Sequence, residues 1–262
     1  MSKRKITAKD EVDEVDVKEA KEEHRGNASQ HNTIFAAWLV NQFGQRYLRY
    51  GGGVVDIAGG LGLLSFELSV RYGVNSTVID PRIVKLKPLL RRKMRKLHKG
   101  RSNGTVDQDR SPLMAMLRSD DNLKINDDGF RLDSVTKSIE DEAKDMLPFD
   151  SIRTTFPQIE HDNLLLSSSI LCGMHSDQAT EAIVDAALLK KKPFAVVPCC
   201  VFPNLFPDRR YTDTSDASES KKVASYNDFI KYLLQKDSRI KSTFLPFIGR
   251  SQVLYMKTED YM

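Results

Sequence analysis

The residues whose types and spacing could do the most chemistry are Val54-Val55-Asp56-Ile57-Ala58-Gly59-Gly60-Leu61-Gly62 and, further on, Val78-Ile79-Asp80. An apolar run that gives way to Ala58, Gly59, Gly60 and Gly62 reads as a buried parallel strand followed by a tight turn. Small residues there let the backbone approach a ligand closely. Leu63 to Tyr72 has helical spacing, with Leu64, Leu68 and Tyr72 on one face, so its first turn offers free N–H groups to an anion. Asp80 ends the next short strand, 20 residues after Gly60. An acid at that place can accept both hydroxyls of a ribose. An NAD site is the rival reading, but its Gly-x-Gly-x-x-Gly turn is incomplete: positions 59–64 run Gly-Gly-Leu-Gly-Leu-Leu. Asp56 also sits inside the strand, where such folds prefer an apolar residue.

The strand and turn from Val54 to Gly62 resemble the first motif of the class I methyltransferase superfamily. The resemblance implies S-adenosylmethionine as cofactor. Asp56 would then take its ammonium directly or through water, the helix N-terminus its carboxylate, and Asp80 its ribose. Ala58, Gly59, Gly60 and Gly62 would form the turn that cradles it.

Two further segments follow later strands. One is Leu171-Cys172-Gly173-Met174-His175-Ser176-Asp177-Gln178, and the other is Val196-Val197-Pro198-Cys199-Cys200-Val201-Phe202-Pro203. In a doubly wound sheet both reach the carboxyl edge, with Cys172 and Gly173 expected beside the cofactor and Pro198, Cys199 and Cys200 beside the acceptor. Together they are similar to a branch of the superfamily that includes the tRNA acceptor-stem ribose methyltransferases and related methyltransferase-like proteins. The resemblance covers roughly residues 34–97 and 150–258, including the closing Phe247–Tyr255. The chain departs from that branch in lacking a cysteine after His175 and in continuing Cys199-Cys200 with Val201-Phe202 in place of a Tyr-His pair. The tRNA substrate is therefore implied less strongly than the fold and cofactor.

His175 reads as a base or an orienting group for the acceptor, or as a loop histidine that shapes the pocket. Asp177 reads as a substrate contact or as a cap for the following helix, and capping is favoured. Cys199 and Cys200 read as lining residues before nucleophiles, because transfer from a sulfonium needs no covalent relay. No zinc site is expected, since adjacent cysteines cannot easily serve one tetrahedral ion and no second pair exists.

Nine lysines and arginines crowd residues 85–101 without an acid among them, Arg91, Arg92 and Arg95 included. Like charges at i,i+4 repel, and RNA phosphates would relieve the repulsion. A solvated face paired with acidic segments, or a nuclear-localisation signal, would use the same run.

These residues need a scaffold of alternating strands and helices. The expected fold is α/β: a doubly wound, mostly parallel sheet of Rossmann-like methyltransferase type with a C-terminal antiparallel hairpin. Helices are expected from Ile34 to near Tyr50, from Ile83 to about Leu97, and over Ala179–Lys190 and Tyr226–Leu234. Strands are expected within Ile152–Phe156, Leu164–Cys172, Phe194–Val197, Thr243–Ile248 and Val253–Lys257. Residues 1–30 read as a flexible charged arm, 31–262 as the methyltransferase domain, about 98–150 as an irregular insertion, and 207–224 as a polar loop. A chain of 262 residues with 40% hydrophobic residues can build one such core. A net charge of +4 does not by itself name a nucleic-acid partner. Three cysteines, two of them adjacent, argue against a disulfide framework and for a reducing compartment. No apolar run is long enough to span a membrane, and the charged N-terminus lacks a signal-peptide core, so cytosol or nucleus is the expected location. Within catalysis, protein or small-molecule acceptors stand as alternatives to RNA. A non-catalytic cofactor-binding scaffold stands outside it, disfavoured by the intact Asp56, Gly59, Gly60, Gly62 and Asp80.

Overall fold

The computed structural model describes residues 30–84, 88, 92, 147–213 and 216–262, with backbone alone over 213 and 216–219. The described part of the chain begins with a helix over residues 30–43 (α1) and the short α2, Gln45–Leu48. Gly44, at φ 82°, divides them, so the single helix expected to run to near Tyr50 is broken six residues before it. Then follow β1 (Val54–Ile57), α3 (Leu63–Tyr72), β2 (Ser76–Ile79), β3 (Asp150–Ile152) and α4 (Asp162–Ser167). The second half holds β4 (Ile170–Met174), α5 (Thr180–Lys190), β5 (Phe194–Val197), a β6–β7 hairpin (Arg210–Asp213, Asp216–Lys222), α6 (Tyr226–Gln235), β8 (Lys241–Phe244) and β9 (Gln252–Met256).

Seven strands form one sheet in the order β3-β2-β1-β4-β5-β9-β8. Strands β1 to β5 are mutually parallel, whereas β9 runs antiparallel to both β5 and β8. The expected α/β sheet with its closing antiparallel hairpin is therefore present. The hairpin's last strand is inserted beside β5, and its first strand lies at the sheet edge.

Burial explains why the central strands form. Along β1, β4 and β5 successive side chains enter opposite cores. Val55, Ile57, Leu171, Phe194 and Val196 face α4, α5 and α6. Val54, Ile170, Cys172, Ala195 and Val197 face α1, α2 and α3. A third, smaller cluster of Phe66, Val78, Val84 and Phe149 closes the β2 side. The four central strands β2, β1, β4 and β5 are buried throughout, as strands covered on both faces should be.

Several sequence expectations need correction. Residues 207–224 are not a loop: they contain the β6–β7 hairpin, which packs Tyr211 and Val223 against α6. The third strand ends at Ile152, where it was expected to start, because it is an exposed edge strand without a burial pattern. Leu164 and Leu165 belong to α4, so the fourth strand starts only at Ile170. Strand β8 stops at Phe244, where the nearby Pro246 lacks the N–H a ladder needs. The expected arm up to residue 29, the insertion up to residue 146, and the basic helix except Ile83, Val84, Pro88 and Arg92 lie outside the described residues; Ile83 and Val84 are not helical, so the helix does not start at Ile83 as expected. Among the described residues no helix is long and apolar enough to cross a membrane.

One ion network fixes the α5 side of the site. Glu181, in the first turn of α5, accepts from Arg209 at 2.6 Å, lies 2.8 Å from Lys236 of α6, and accepts from the Tyr232 hydroxyl. The Arg209 guanidinium is also stacked 3.6 Å from the Phe206 ring centroid, with its side chain only 5% exposed. The start of α5 is thereby tied to the hairpin and to α6.

Candidate functional site

The carboxyl ends of β1, β2, β4 and β5 lie along one edge of the sheet, because the four strands are parallel and neighbours. The residues singled out from the sequence collect there. The turn after β1 is left-handed at Ala58 (φ 55°), Gly60 (φ 59°) and Gly62 (φ 69°). Two of these positions are glycine, which adopts that conformation without strain. At Gly62 a Cβ would also stand 2.4 Å from Phe149 Cζ, and at Gly59, whose φ is ordinary, a Cβ would stand 2.5 Å from Asp56 Oδ2. Gly62 forms the N-cap of α3 and supplies no side-chain cap; Ser65, in the first turn, already gives its backbone N–H to Asp56.

Gly60 and Asp80 are in direct contact. The Gly60 N–H donates to Asp80 Oδ2 at 2.8 Å. Arg82 completes the arrangement: its backbone N–H and Nε donate to Asp80 Oδ1 at 2.9 and 2.8 Å, and its second guanidinium nitrogen donates to Oδ2 at 2.9 Å. Burial pushes Asp80 up, but the Arg82 and Gly60 hydrogen bonds outweigh it and hold the carboxyl below its ordinary value. Arg82 was not singled out from the sequence. Its signal was there, an arginine two residues after an acid at a strand end.

Asp56 is wholly buried on the α3 face of β1. Its Oδ2 accepts from the Ser65 hydroxyl at 3.0 Å, and Ser65 in turn meets the Ser76 hydroxyl at 2.7 Å. Its Oδ1 is buried without a hydrogen-bond partner. Burial pushes this carboxyl up to about 7, with Ser65 only partly offsetting it. In this conformation Asp56 is wholly buried and presents no surface for the direct contact that was one of the two expectations, the other being contact through water.

Cys172 is also fully buried, beside Asp56 in the β1–β4 register, and burial drives its thiol far up. A Cβ on Gly173 would meet Ser176 Oγ at 2.5 Å and Ile183 Cδ1 at 2.6 Å, so packing within the protein already demands this glycine.

The β4 and β5 loops do meet. The His175 N–H donates to the Val197 carbonyl at 3.1 Å, and both His175 (φ 53°) and Asp177 (φ 47°) are left-handed, a conformation that costs a non-glycine residue free energy and recurs at functional sites. The Asp177 side chain caps no helix, contrary to the favoured expectation. Its left-handed backbone carries it toward β5, where Oδ1 accepts from Cys199 Sγ at 3.0 Å. Cys200 Sγ lies 3.4 Å from Cys199 Sγ, and Pro198 is buried ahead of them. Burial, then Asp177, pushes the Cys199 thiol well above its usual range, and burial raises Cys200 as well. Protonated thiols are poor nucleophiles, which agrees with a lining role.

His31 is a second histidine at this edge that sequence reading passed over. It is buried on α1, stacked 4.1 Å from the Phe247 centroid, with its ring 6.4 Å from that of His175. Arg92 is helical and exposed, while Arg91 and Arg95 lie outside the described residues. No protein-family model matches the chain, and no curated protein matches it.

The raised Asp56 carboxyl has a consequence for stability. Because the native state holds this proton more tightly than the unfolded chain does, the contribution is complete below pH 4 and is lost as pH rises through about 7. The full span is on the order of 4 kcal/mol. Asp56→Asn should therefore be more stable than wild type at pH 8, and its stability should change less between pH 5 and 8. Urea unfolding across that range measures both; parallel profiles for the two proteins would refute the assignment.

Proposed function

We propose that the chain is an S-adenosylmethionine-dependent methyltransferase with RNA as its acceptor. The observation that carries the reading is the junction of the glycine turn with the β2 acid, where Gly60 donates to Asp80 at 2.8 Å at the carboxyl edge of the sheet. The sheet order supports it. A Rossmann dehydrogenase sheet runs 3-2-1-4-5-6, whereas here an antiparallel strand is inserted beside β5, the closing hairpin that the resemblance implies.

The residues fit the cofactor. Asp56 Oδ1 is a buried acceptor with no partner, and a cation above Gly59 would favour its ionised form. The first turn of α3 offers N–H donors to a carboxylate. Asp80 offers two oxygens to a ribose once Arg82 withdraws, and the 70% exposure of the Arg82 side chain leaves it room to do so. S-adenosylmethionine supplies an electrophilic methyl group on a sulfonium. The protein then has to orient the acceptor and exclude water. Proximity and alignment supply most of the rate, with no covalent relay. His175, held between the β4 and β5 loops, is the group to orient an acceptor hydroxyl or amine or to hold its proton.

RNA is favoured by the basic run. Val84 packs with Phe149 against the Gly62 turn, and the basic run 85–101 follows Val84 directly in the sequence. A polyanionic acceptor held by that run close to Val84 would lie near the glycine turn.

Two substitutions on the same ion pair should act in opposite directions. Asp80→Ala should weaken cofactor binding by roughly 1–3 kcal/mol, since a charged acceptor is lost. Arg82→Ala should tighten it by roughly 3–10-fold, since the competing partner of Asp80 is removed. Isothermal titration with S-adenosylmethionine or its demethylated product reads both; weakening by both substitutions would mean that Arg82 is part of the ligand's cradle.

The acceptor is tested separately. RNA affinity should fall steeply with salt. Replacing Arg91, Arg92, Arg95 and Lys96 by glutamine should weaken RNA binding and flatten that dependence, while cofactor binding survives. Full RNA affinity in the quadruple variant would put a protein or small-molecule acceptor first.

A further inference from the structure

We propose that Asp177, Cys199 and Cys200 form a binding site for a thiophilic divalent cation, zinc(II) foremost. Adjacent cysteines on a strand point to opposite faces, which is why the sequence argued against one shared ion. Here β5 ends at Val197, and beyond Pro198 the alternation is lost: the two sulfurs lie 3.4 Å apart on the same side of the chain. Asp177 then adds the third donor that the sequence did not offer. One ligand atom from each residue lies within 4.8 Å of the others.

The distances suit the ion. With Zn–S near 2.3 Å and Zn–O near 2.0 Å, a tetrahedral site has its sulfurs about 3.8 Å apart and sulfur and oxygen about 3.5 Å apart. The observed separations of 3.4 and 3.0 Å need to open by only about 0.4–0.5 Å, a small rotation of exposed or half-buried side chains, to reach that geometry. In the metal-free arrangement a thiol proton bridges Cys199 to Asp177; the cation replaces it. Arg82 acts electrostatically on Asp177, and Arg250 acts on Cys200, so two guanidinium groups offset the charge of an anionic ligand set. Asp177 is exposed and both cysteines are half-buried, which leaves the fourth position to water. Three protein ligands and one solvent position is the pattern of reactive zinc sites.

Binding is an exchange of protons for metal: two Cys–S–H bonds break, two S–Zn bonds form, and two protons pass to the buffer. Cys172 is sealed in the sheet and takes no part.

The test uses the full chain, reduced and stripped with a chelator. Cobalt(II) should produce a thiolate-to-cobalt charge-transfer band that saturates at one equivalent and is abolished by zinc(II). Isothermal titration of zinc in buffers of different ionisation enthalpy should report two protons released per ion. Asp177→Asn should keep the band with at least roughly ten-fold weaker affinity, Cys172→Ser should leave it unchanged, and the Cys199→Ser/Cys200→Ser double variant should lose it. Absence of the band in the wild-type chain, which needs no variant to fold, would overturn the proposal. So would unchanged zinc affinity in the double variant.

Discussion

The Gly60 N–H bond to Asp80 is the constraint around which the sheet's carboxyl edge is arranged. It joins the left-handed turn after β1 to the end of β2 and so fixes where α3 begins. Gly62 then has no space beyond its own hydrogen, with Phe149 against it. The chain after Asp80 is held by the same carboxylate through the Arg82 fork, and it returns under the turn at Val84. A single acid thus organises the turn, the helix start and the chain from Asp80 to Val84.

The other side of the edge depends on backbone conformations that cost free energy. His175 and Asp177 are both left-handed without being glycine. What sustains them is the order around them: the β4–β5 ladder before them, and behind them α5, held by Glu181 to Arg209 and Lys236. The outcome is that an acid and two thiols converge within reach of Arg82, beside the glycine turn. Charge is also offset along this edge, since Arg82 faces both Asp80 and Asp177.

What the sequence made legible follows from burial. Val54–Ile57 and Phe194–Val197 are strands covered on both faces, and continuous apolar runs announced them. The 20-residue separation of Gly60 and Asp80 corresponds to a real contact. Elements held by backbone pairing or by single anchors were not legible. The β6–β7 hairpin reads as a polar loop because, among its described side chains, Tyr211 alone is buried in the core. The edge strand Asp150–Ile152 is exposed at every position and so carries no pattern. His31 lay at the margin of a charged segment, and only the packing of α1 beside Phe247 brings it to His175. Asp56 and Asp80 looked alike as acids at strand ends, yet one lies in the core with its carboxyl up at about 7, and the other is buried beneath an exposed arginine that holds it below its ordinary value.

That contrast supplies the most direct test of the account. Isothermal titration of the wild-type chain with S-adenosylmethionine at pH 6 and pH 8, with NAD as the comparison, measures both the ligand and the buried acid. The account predicts one equivalent of S-adenosylmethionine bound, more tightly at pH 8, because Asp56 ionises across about 7 and its negative charge favours the cationic ligand. It predicts no binding of NAD. Saturable binding of NAD with none of S-adenosylmethionine would contradict it.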